Sequence, residues 1–400
     1  MRICIVTFFY KPAGGGIPRY VDNISKELAR LGHKIDIITA SYEEDKTERF
    51  GKITIFYLKC MNIFTKNEQE NKENSREFLN FMRKYLKRKP KIINAQNLHA
   101  ATRAVGHSLA LNMICLEKNI PLTNTTHSFI QQDENAKLKL SLLSHLLWEK
   151  IISVGSNLAE SLFNQGIPSE NIKIIHPPID TSIFIPNLGK KWLRSRINIS
   201  DKDFLIIHAS RIDNLKVTEE KGVFTLLKAL SLIKEKEVKL LIAAAPTNPV
   251  FEQQKAEAIE KIKETSKLLG ISNRVIIQTF NPEEMHLVYN GADLFVMASK
   301  MESFGLVYAE ALACGIPVIG TAVGGIPEVI DDGKTGSLVP PDNPVELSKT
   351  IRYLIKNPNK MVKMGKLGRE NIIERFDIGK ISKNLIGVYE SIINKKKNNI

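Results

Sequence analysis

Residues 299–328 read SKMESFGLVYAEALACGIPVIGTAVGGIPE, and their reading decides the fold. Just upstream, residues 293–297 (DLFVM) form a short apolar run with the length of a buried strand. Leu306, Ala309, Leu312 and Ala313 recur at helical spacing. Gly315 followed by Pro317 stops that helix, which starts near residues 304–306. PVIG at 317–320 is a second buried strand, and Gly324-Gly325 opens the next turn. Strand, loop, helix and strand make a βαβ unit. Its polar loop lies at the carboxyl end of the first strand, where open α/β sheets bind ligands.

The chemistry of that loop suits an anion carrying a sugar. Backbone N–H groups at 304–307 sit at a helix start and, with the helix dipole, favour a phosphate. Gly305 lacks the Cβ that would keep a ligand off the backbone. Glu302 and Glu310 flank the helix start with seven residues between them. Carboxylates that accept from paired hydroxyls hold a ribose or a hexose. The plainer alternative is a solvated helix residue at 310 and a first-turn dipole partner at 302, and spacing alone leaves both open.

The segment resembles the Glu-x7-Glu signature of the retaining glycosyltransferases of family 4, and the resemblance extends over nearly the whole chain. It implies an α/β protein of the GT-B fold: two Rossmann-like β/α/β domains facing across a cleft, with a C-terminal helix crossing back to the first. The expected limits are 1–185 for an acceptor domain, 186–375 for a donor domain and 376–400 for the returning helix. By the same resemblance Glu302 meets the donor sugar and Glu310 the ribose. The backbone of Phe304, Gly305 and Leu306 meets the pyrophosphate.

Composition is that of a soluble globular chain: 400 residues, 43% hydrophobic and 25% charged. No apolar window is long enough to cross a bilayer. Residues 2–10 (RICIVTFFY) read as a first strand rather than a signal peptide, so a cytoplasmic protein is expected, peripheral on the inner membrane face at most. Cys4, Cys60, Cys115 and Cys314 are scattered without a CxxC, which fits buried thiols in a reducing compartment. The net charge of +14 comes from 57 basic against 43 acidic residues. Neither interleaved aromatics nor a nucleic-acid module accompanies it, so no nucleic acid is expected. An anionic small substrate and an anionic membrane surface both remain.

After the first strand, Gly14, Gly15 and Gly16 form a loop, followed by a helix over about 18–31. Arg19 stands where the third glycine of GxGxxG would be. KIDIITA at 34–40 also lacks a terminal acid for a ribose, so an NAD dehydrogenase is disfavoured. The resemblance gives Gly15 and Gly16 the donor phosphate. Strands follow at 34–39 and 53–58, and the polar residues 62–76 read as a mobile loop. The basic segment 76–91 reads as a sheet-covering helix with a solvated face, or as a patch for an anionic membrane. A strand at 91–95 and a helix from about Ala100 lead to IPLTNTTHSF, where His127 sits just past a strand end. A lone His there is a structural hydrogen-bonder or, by resemblance, lies near the donor sugar; His99 and His107 are weaker candidates. Helices at 134–149 and 155–165 flank a strand at 151–154. Pro177-Pro178-Ile179-Asp180 stands where the family has Pro-Asn-Gly-Ile-Asp, so this turn differs.

The second half opens with Asp201-Lys202-Asp203, a DxD in letters only. It precedes its strand, on the side away from a ligand, and reads as a turn; no metal and no cofactor are expected. Arg211 follows the strand, and Lys221-Gly222 stands at a helix start. A guanidinium fork and an ammonium there suit a diphosphate leaving group. The family has this Arg and a Lys-Gly nearer to it. Here the gap is longer and contains Lys216, which stays an alternative to Lys221. A charged outer helix is expected over 249–269. Gly324 and Gly325 are expected to let the backbone approach the sugar or base, with Glu328 in a helix first turn. The last helix, about 379–394, turns Ile381, Leu385, Val388, Tyr389 and Ile392 to one side.

Together these readings imply metal-independent, retaining transfer of a hexose from a nucleoside-diphosphate sugar to a glycan, lipid-linked or small-molecule acceptor. Arg211, Lys221, Glu302 and His127 are the candidate catalytic residues, and no carboxylate is identified as a nucleophile. Two rivals remain: a nucleotide-sugar epimerase of the same architecture, and a catalytically silent nucleotide-sugar-binding component of a glycan assembly.

Overall fold

The computed structural model describes residues 1–11, 15–64, 67–98, 105–128, 146, 148–246 and 251–398. Gly14, His99, the expected helix start at Ala100 and all of the expected helix at 134–149 but residues 146, 148 and 149 lie outside these residues; those three are not helical. The chain divides into two compact units. The first comprises Met1–Tyr10, Ile17–Pro178 and Ile378–Ile400; the second comprises Lys11–Gly16 and Ile179–Asp377.

The first unit is an 8-stranded sheet in the order β3-β4-β2-β1-β5-β6-β7-β8. Its strands are β1 (Arg2–Val6), β2 (Lys34–Ala40), β3 (Lys46–Phe50), β4 (Ile53–Leu58), β5 (Ile92–Gln96), β6 (Leu122–Thr126), β7 (Lys150–Ser153) and β8 (Ile172–Ile174). All neighbours pair in parallel except β3 and β4. Strand β1 is buried on both faces from Ile3 to Val6, which explains its unbroken apolar run. Helices α1 (Gly16–Arg30), α2 (Glu68–Tyr85), α3 (Val105–Glu117) and α4 (Ser156–Asn164) connect them. One face of the sheet packs Phe78, Met82, Leu111 and Ile114 from α2 and α3 against Cys4, Val6 and Ile93. The other face packs Val21, Ile24 and Leu28 of α1 against Ile3 and Ile5. The last helix, Ile378–Asn398, completes that layer with Ile381, Leu385, Tyr389 and Ile392.

Three local readings change. Residues 62–76 are not a loop throughout, because α2 begins at Glu68. The Asn67 side chain accepts from the Glu70 N–H at its first turn, and this cap outweighs the polar composition. The basic stretch ends its helix at Tyr85, with a 3-10 turn to Arg88 and Lys89 left-handed at φ +55°. β3 (KTERF) escapes an apolar-pattern search because it is an exposed edge strand. It is held by antiparallel pairing to β4.

The second unit is a 6-stranded parallel sheet in the order β11-β10-β9-β12-β13-β14. Its strands are β9 (Phe204–Ser210), β10 (Val238–Ala244), β11 (Val275–Thr279), β12 (Leu294–Val296), β13 (Val318–Thr321) and β14 (Gly336–Val339). Strand order reverses between β9 and β12, the kind of point where open α/β sheets take ligands. A short unanticipated helix, α5 (Lys190–Arg196), precedes β9, and 201–203 form the turn between them. Two helices follow β9: α6 (Leu215–Glu220) and α7 (Val223–Ser231). The charged outer helix is α8 (Glu252–Leu268), followed by α9 (Met285–Asn290) and then α10 (Leu306–Ala313), which starts where the sequence places it.

Candidate functional site

The loops after β9 and β12 carry the site of the second unit. Gly305 caps α10 with φ +99° and ψ 50°, a left-handed turn that suits glycine. The helical ladder begins with Tyr308 and Ala309 bonding to the Gly305 carbonyl, so the amides of Leu306 and Val307 stand at its open end. Phe304 is buried and sets its ring edge-on to Phe376 at 5.2 Å, so its side chain belongs to the core. The Tyr308 hydroxyl donates to the Met297 carbonyl (2.7 Å) and Thr321 to that of Ser299 (2.6 Å), pinning the loop from beneath.

Arg211 follows β9, and its Nη1 lies 2.7 Å from Asp213 Oδ2. Gly15, in the segment that belongs to the second unit, lies against it. A Cβ at Gly15 would come within 3.1 Å of Arg211 Cδ, and the φ of +116° is glycine's own. Gly16 opens α1; a Cβ there would touch Leu306 at 3.7 Å.

The long gap between Arg211 and Lys221 is filled by α6. Asn214 caps that helix, and Lys221 ends it. Gly222, at φ +74°, then turns the chain into α7, so close to β12 that a Cβ would overlap the Ala298 carbonyl. This joint delivers Lys221 to the switch point, with Nζ 2.8 Å from Glu302 Oε2. Lys216 instead projects into solvent beside Glu220 at 3.9 Å.

Of the two readings of the spacing of Glu310, burial overturns the solvated one. Glu310 is 1% exposed, and Oε2 accepts from the Tyr289 hydroxyl at 2.8 Å. Gly324 and Gly325 also have a partner other than a ligand. A Cβ on either would overlap backbone of Glu302 or Ser303, and the Gly325 N–H donates to the Glu302 carbonyl (3.0 Å). They therefore support the Glu302 loop from behind. Glu328 is in the first turn of the short helix Ile326–Val329.

His127 lies in the first unit, just beyond β6. Its Nε2 is 2.8 Å from Gln96 Oε1, its backbone N–H donates to Asn97 Oδ1, and its ring meets Tyr20 edge-on at 4.7 Å. His107 is a core residue, buried, with Nε2 at the Cys60 carbonyl (2.6 Å). Residues the sequence reading passed over are Asp213, Tyr289, Gln96 and Asn97. His208 on β9 is also new: burial pushes its pKa down to about 3, assisted by the Lys221 charge and opposed by a hydrogen bond to the Val296 backbone. All four cysteines are free and buried. Among the described residues, no three acidic, His or Cys side chains gather as a metal would require, and no helix is long and apolar enough to cross a membrane.

A family model described as Glycosyltransferase Family 4 matches residues 14–183, and one described as Glycosyl transferases group 1 matches residues 190–371. An uncharacterised glycosyltransferase of Methanocaldococcus jannaschii is 24% identical over 413 residues, covering 98% of each chain. The sucrose-phosphate synthase of Thermosynechococcus elongatus superposes with a TM-score of 0.82 at 21% identity, over 98% of this chain and 99% of that one. The Anabaena protein HepE, solved with UDP-glucose, superposes with a TM-score of 0.76 at 18% identity, over 98% and 100%. Two parallel-sheet α/β units matched end to end by such structures define a GT-B protein, and the matched family models make it a sugar-transferring enzyme. The chain belongs to the family-4 glycosyltransferases.

Proposed function

We propose that the enzyme transfers a hexose, with retention and without a metal, from a nucleoside-diphosphate sugar to a glycan, lipid-linked or small-molecule hydroxyl. The carrying observation is the convergence of Arg211, Lys221, Glu302 and the open end of α10 at the β9/β12 switch point. The likeness to a protein solved with UDP-glucose supports the donor class. As the anomeric C–O bond breaks, charge grows on the departing diphosphate; Arg211, Lys221 and the α10 amides oppose it. Such preorganised electrostatics is often the largest catalytic effect. The acceptor hydroxyl attacks the same face and gives its proton to the leaving phosphate. In the resting protein Asp213 and Glu302 hold the two cations, so the diphosphate takes over charges already paired.

The test is thermal stabilisation by UDP, GDP, ADP and NAD, then product analysis. A bound diphosphate at ~100-fold its dissociation constant adds about 2.7 kcal/mol. One nucleoside diphosphate stabilises, Glu310→Ala abolishes the shift, and release needs an acceptor, with the anomer retained and EDTA without effect. Conversion of the donor alone identifies the epimerase, and binding without turnover the silent component. No shift with any nucleotide refutes the donor site.

The membrane reading rests on α3 more than on α2. Leu109, Met113 and Leu116 recur along α3 and are exposed, and α3 packs against α2, whose last turn and the turn after it carry the exposed Arg83, Lys84 and Lys87. An apolar stripe beside cations suits an anionic leaflet. Sedimentation with anionic but not neutral vesicles, lost in Met113→Glu, is the expected result.

A further inference from the structure

The polar tier of the first sheet has a direction. Asn94 and Gln96 are two apart on β5 and share a face; Thr123 and Thr125 stand beside them on β6. All four are at most 3% exposed, so their polar atoms are satisfied within the protein. The Thr123 hydroxyl donates to the Ile93 carbonyl (3.4 Å) and therefore receives Asn94 Nδ2 (3.0 Å). Asn94 Oδ1 then faces the other way and accepts from the Thr125 hydroxyl (3.1 Å) and from Gln96 Nε2. With its amide nitrogen so engaged, Gln96 turns Oε1 to His127 Nε2 at 2.8 Å. A carbonyl oxygen only accepts, so the proton on that bond belongs to the imidazole.

We propose that Gln96 is a positioning residue that holds neutral His127 as its Nε2–H tautomer, leaving Nδ1 as the basic nitrogen. Asn97 steadies the same histidine from the backbone side. It sits left-handed at φ +55° with Oδ1 3.1 Å from the His127 N–H, while Tyr20 borders the ring. The order of donation runs from the ring through Gln96, Asn94 and Thr123 to a strand carbonyl, so the tautomer is fixed by the sheet. The proposal rests on the reading that gives His127 a part in the transfer.

The test is 15N spectroscopy of the histidine-labelled full chain at pH 8, with His127→Gln to assign the ring. A protonated Nε2 and an unprotonated Nδ1 are expected. Gln96→Leu removes the acceptor at similar volume and should bring in the Nδ1–H form. It should also lower kcat by about ten- to hundredfold with little change in donor KM, within the range of a misplaced group at a reacting centre. A wild-type ring protonated at Nδ1 overturns the proposal even if the variant fails to fold. So does a Gln96→Leu protein with an unchanged tautomer. An Nε2–H ring with kinetics indifferent to both Gln96→Leu and His127→Ala removes His127 from the reaction, which refutes the functional reading and leaves the tautomer assignment supported.

Discussion

Lys221 Nζ lies 2.8 Å from Glu302 Oε2, joining the end of α6 to the loop after β12 across the point where strand order reverses. The two residues are far apart in sequence, and the contact exists because α6 consumes the gap after Arg211 and Gly222 turns the chain at β12. Lys221→Ala and Arg211→Ala are each expected to lower kcat by about 10²–10³, the usual cost of removing one preorganised donor to developing charge. Lys216→Ala should leave turnover intact and change stability by no more than about 0.5 kcal/mol. Steady-state kinetics on the three variants checks this; intact turnover in both the Arg211 and Lys221 variants sinks the leaving-group assignment.

Glu310 and Tyr289 form a buried pair, so their exchange is felt first in stability. Tyr289→Phe removes a donor to a carboxylate that has no water to replace it. A loss of about 1–3 kcal/mol in urea unfolding is expected. If Glu310 also holds the donor ribose, Tyr289→Phe should weaken nucleotide binding less than Glu310→Ala does, as read by calorimetric titration.

Gly222→Ala should be far worse than Gly51→Ala. Both positions have positive φ, at +74° and +56°, which costs a non-glycine residue about 1–2 kcal/mol. At Gly51 nothing lies within 4 Å, whereas at Gly222 the new Cβ meets the Ala298 carbonyl. Thermal midpoints of the two variants should differ clearly, with the Gly222 protein unfolding first and losing turnover before that.

His208 gives the stability a defined acid limb. The unfolded imidazole takes a proton near pH 6.5, while the buried one stays neutral to about 3, so the unfolded state binds the extra proton in between. Stability is whole above pH 6.5 and falls as the pH drops toward 3, by about 2 kcal/mol at pH 5. The loss between pH 7 and pH 5 should be smaller in His208→Gln than in wild type. An equal loss in both sends the acid limb elsewhere.

Much of the fold around the candidate site of the second unit was legible because its signals are local. Gly305 before an apolar helix pattern and Gly315 after it bracket α10 to within a residue or two. The partners of these residues were not legible. Asp213, Tyr289 and Gln96 each stand on a different element from the one that gives them meaning or, for Asp213, on a loop with no periodicity. The sequence spacing of Glu302 and Glu310 says nothing of burial, and the structure sets one at an ion pair and the other in the core. β3 and the first turns of α2 were missed for one physical reason. A strand held by edge pairing and a helix held by its cap both dispense with an apolar face at that point.

The last helix has a consequence for how the chain is born. Ile381, Leu385, Tyr389 and Ile392 close a layer whose other members include Ile3, Ile5 and Ile24, which are made before residues 179–377 of the second unit. The whole second unit is synthesised in between, and at about 5–20 residues per second those residues take roughly 10–40 s to polymerise. Through that interval the face of the first sheet that α1 covers lacks the rest of its apolar cover. The second unit, continuous but for the segment Lys11–Gly16, has no such wait. The first unit, begun before the second, should therefore mature after it.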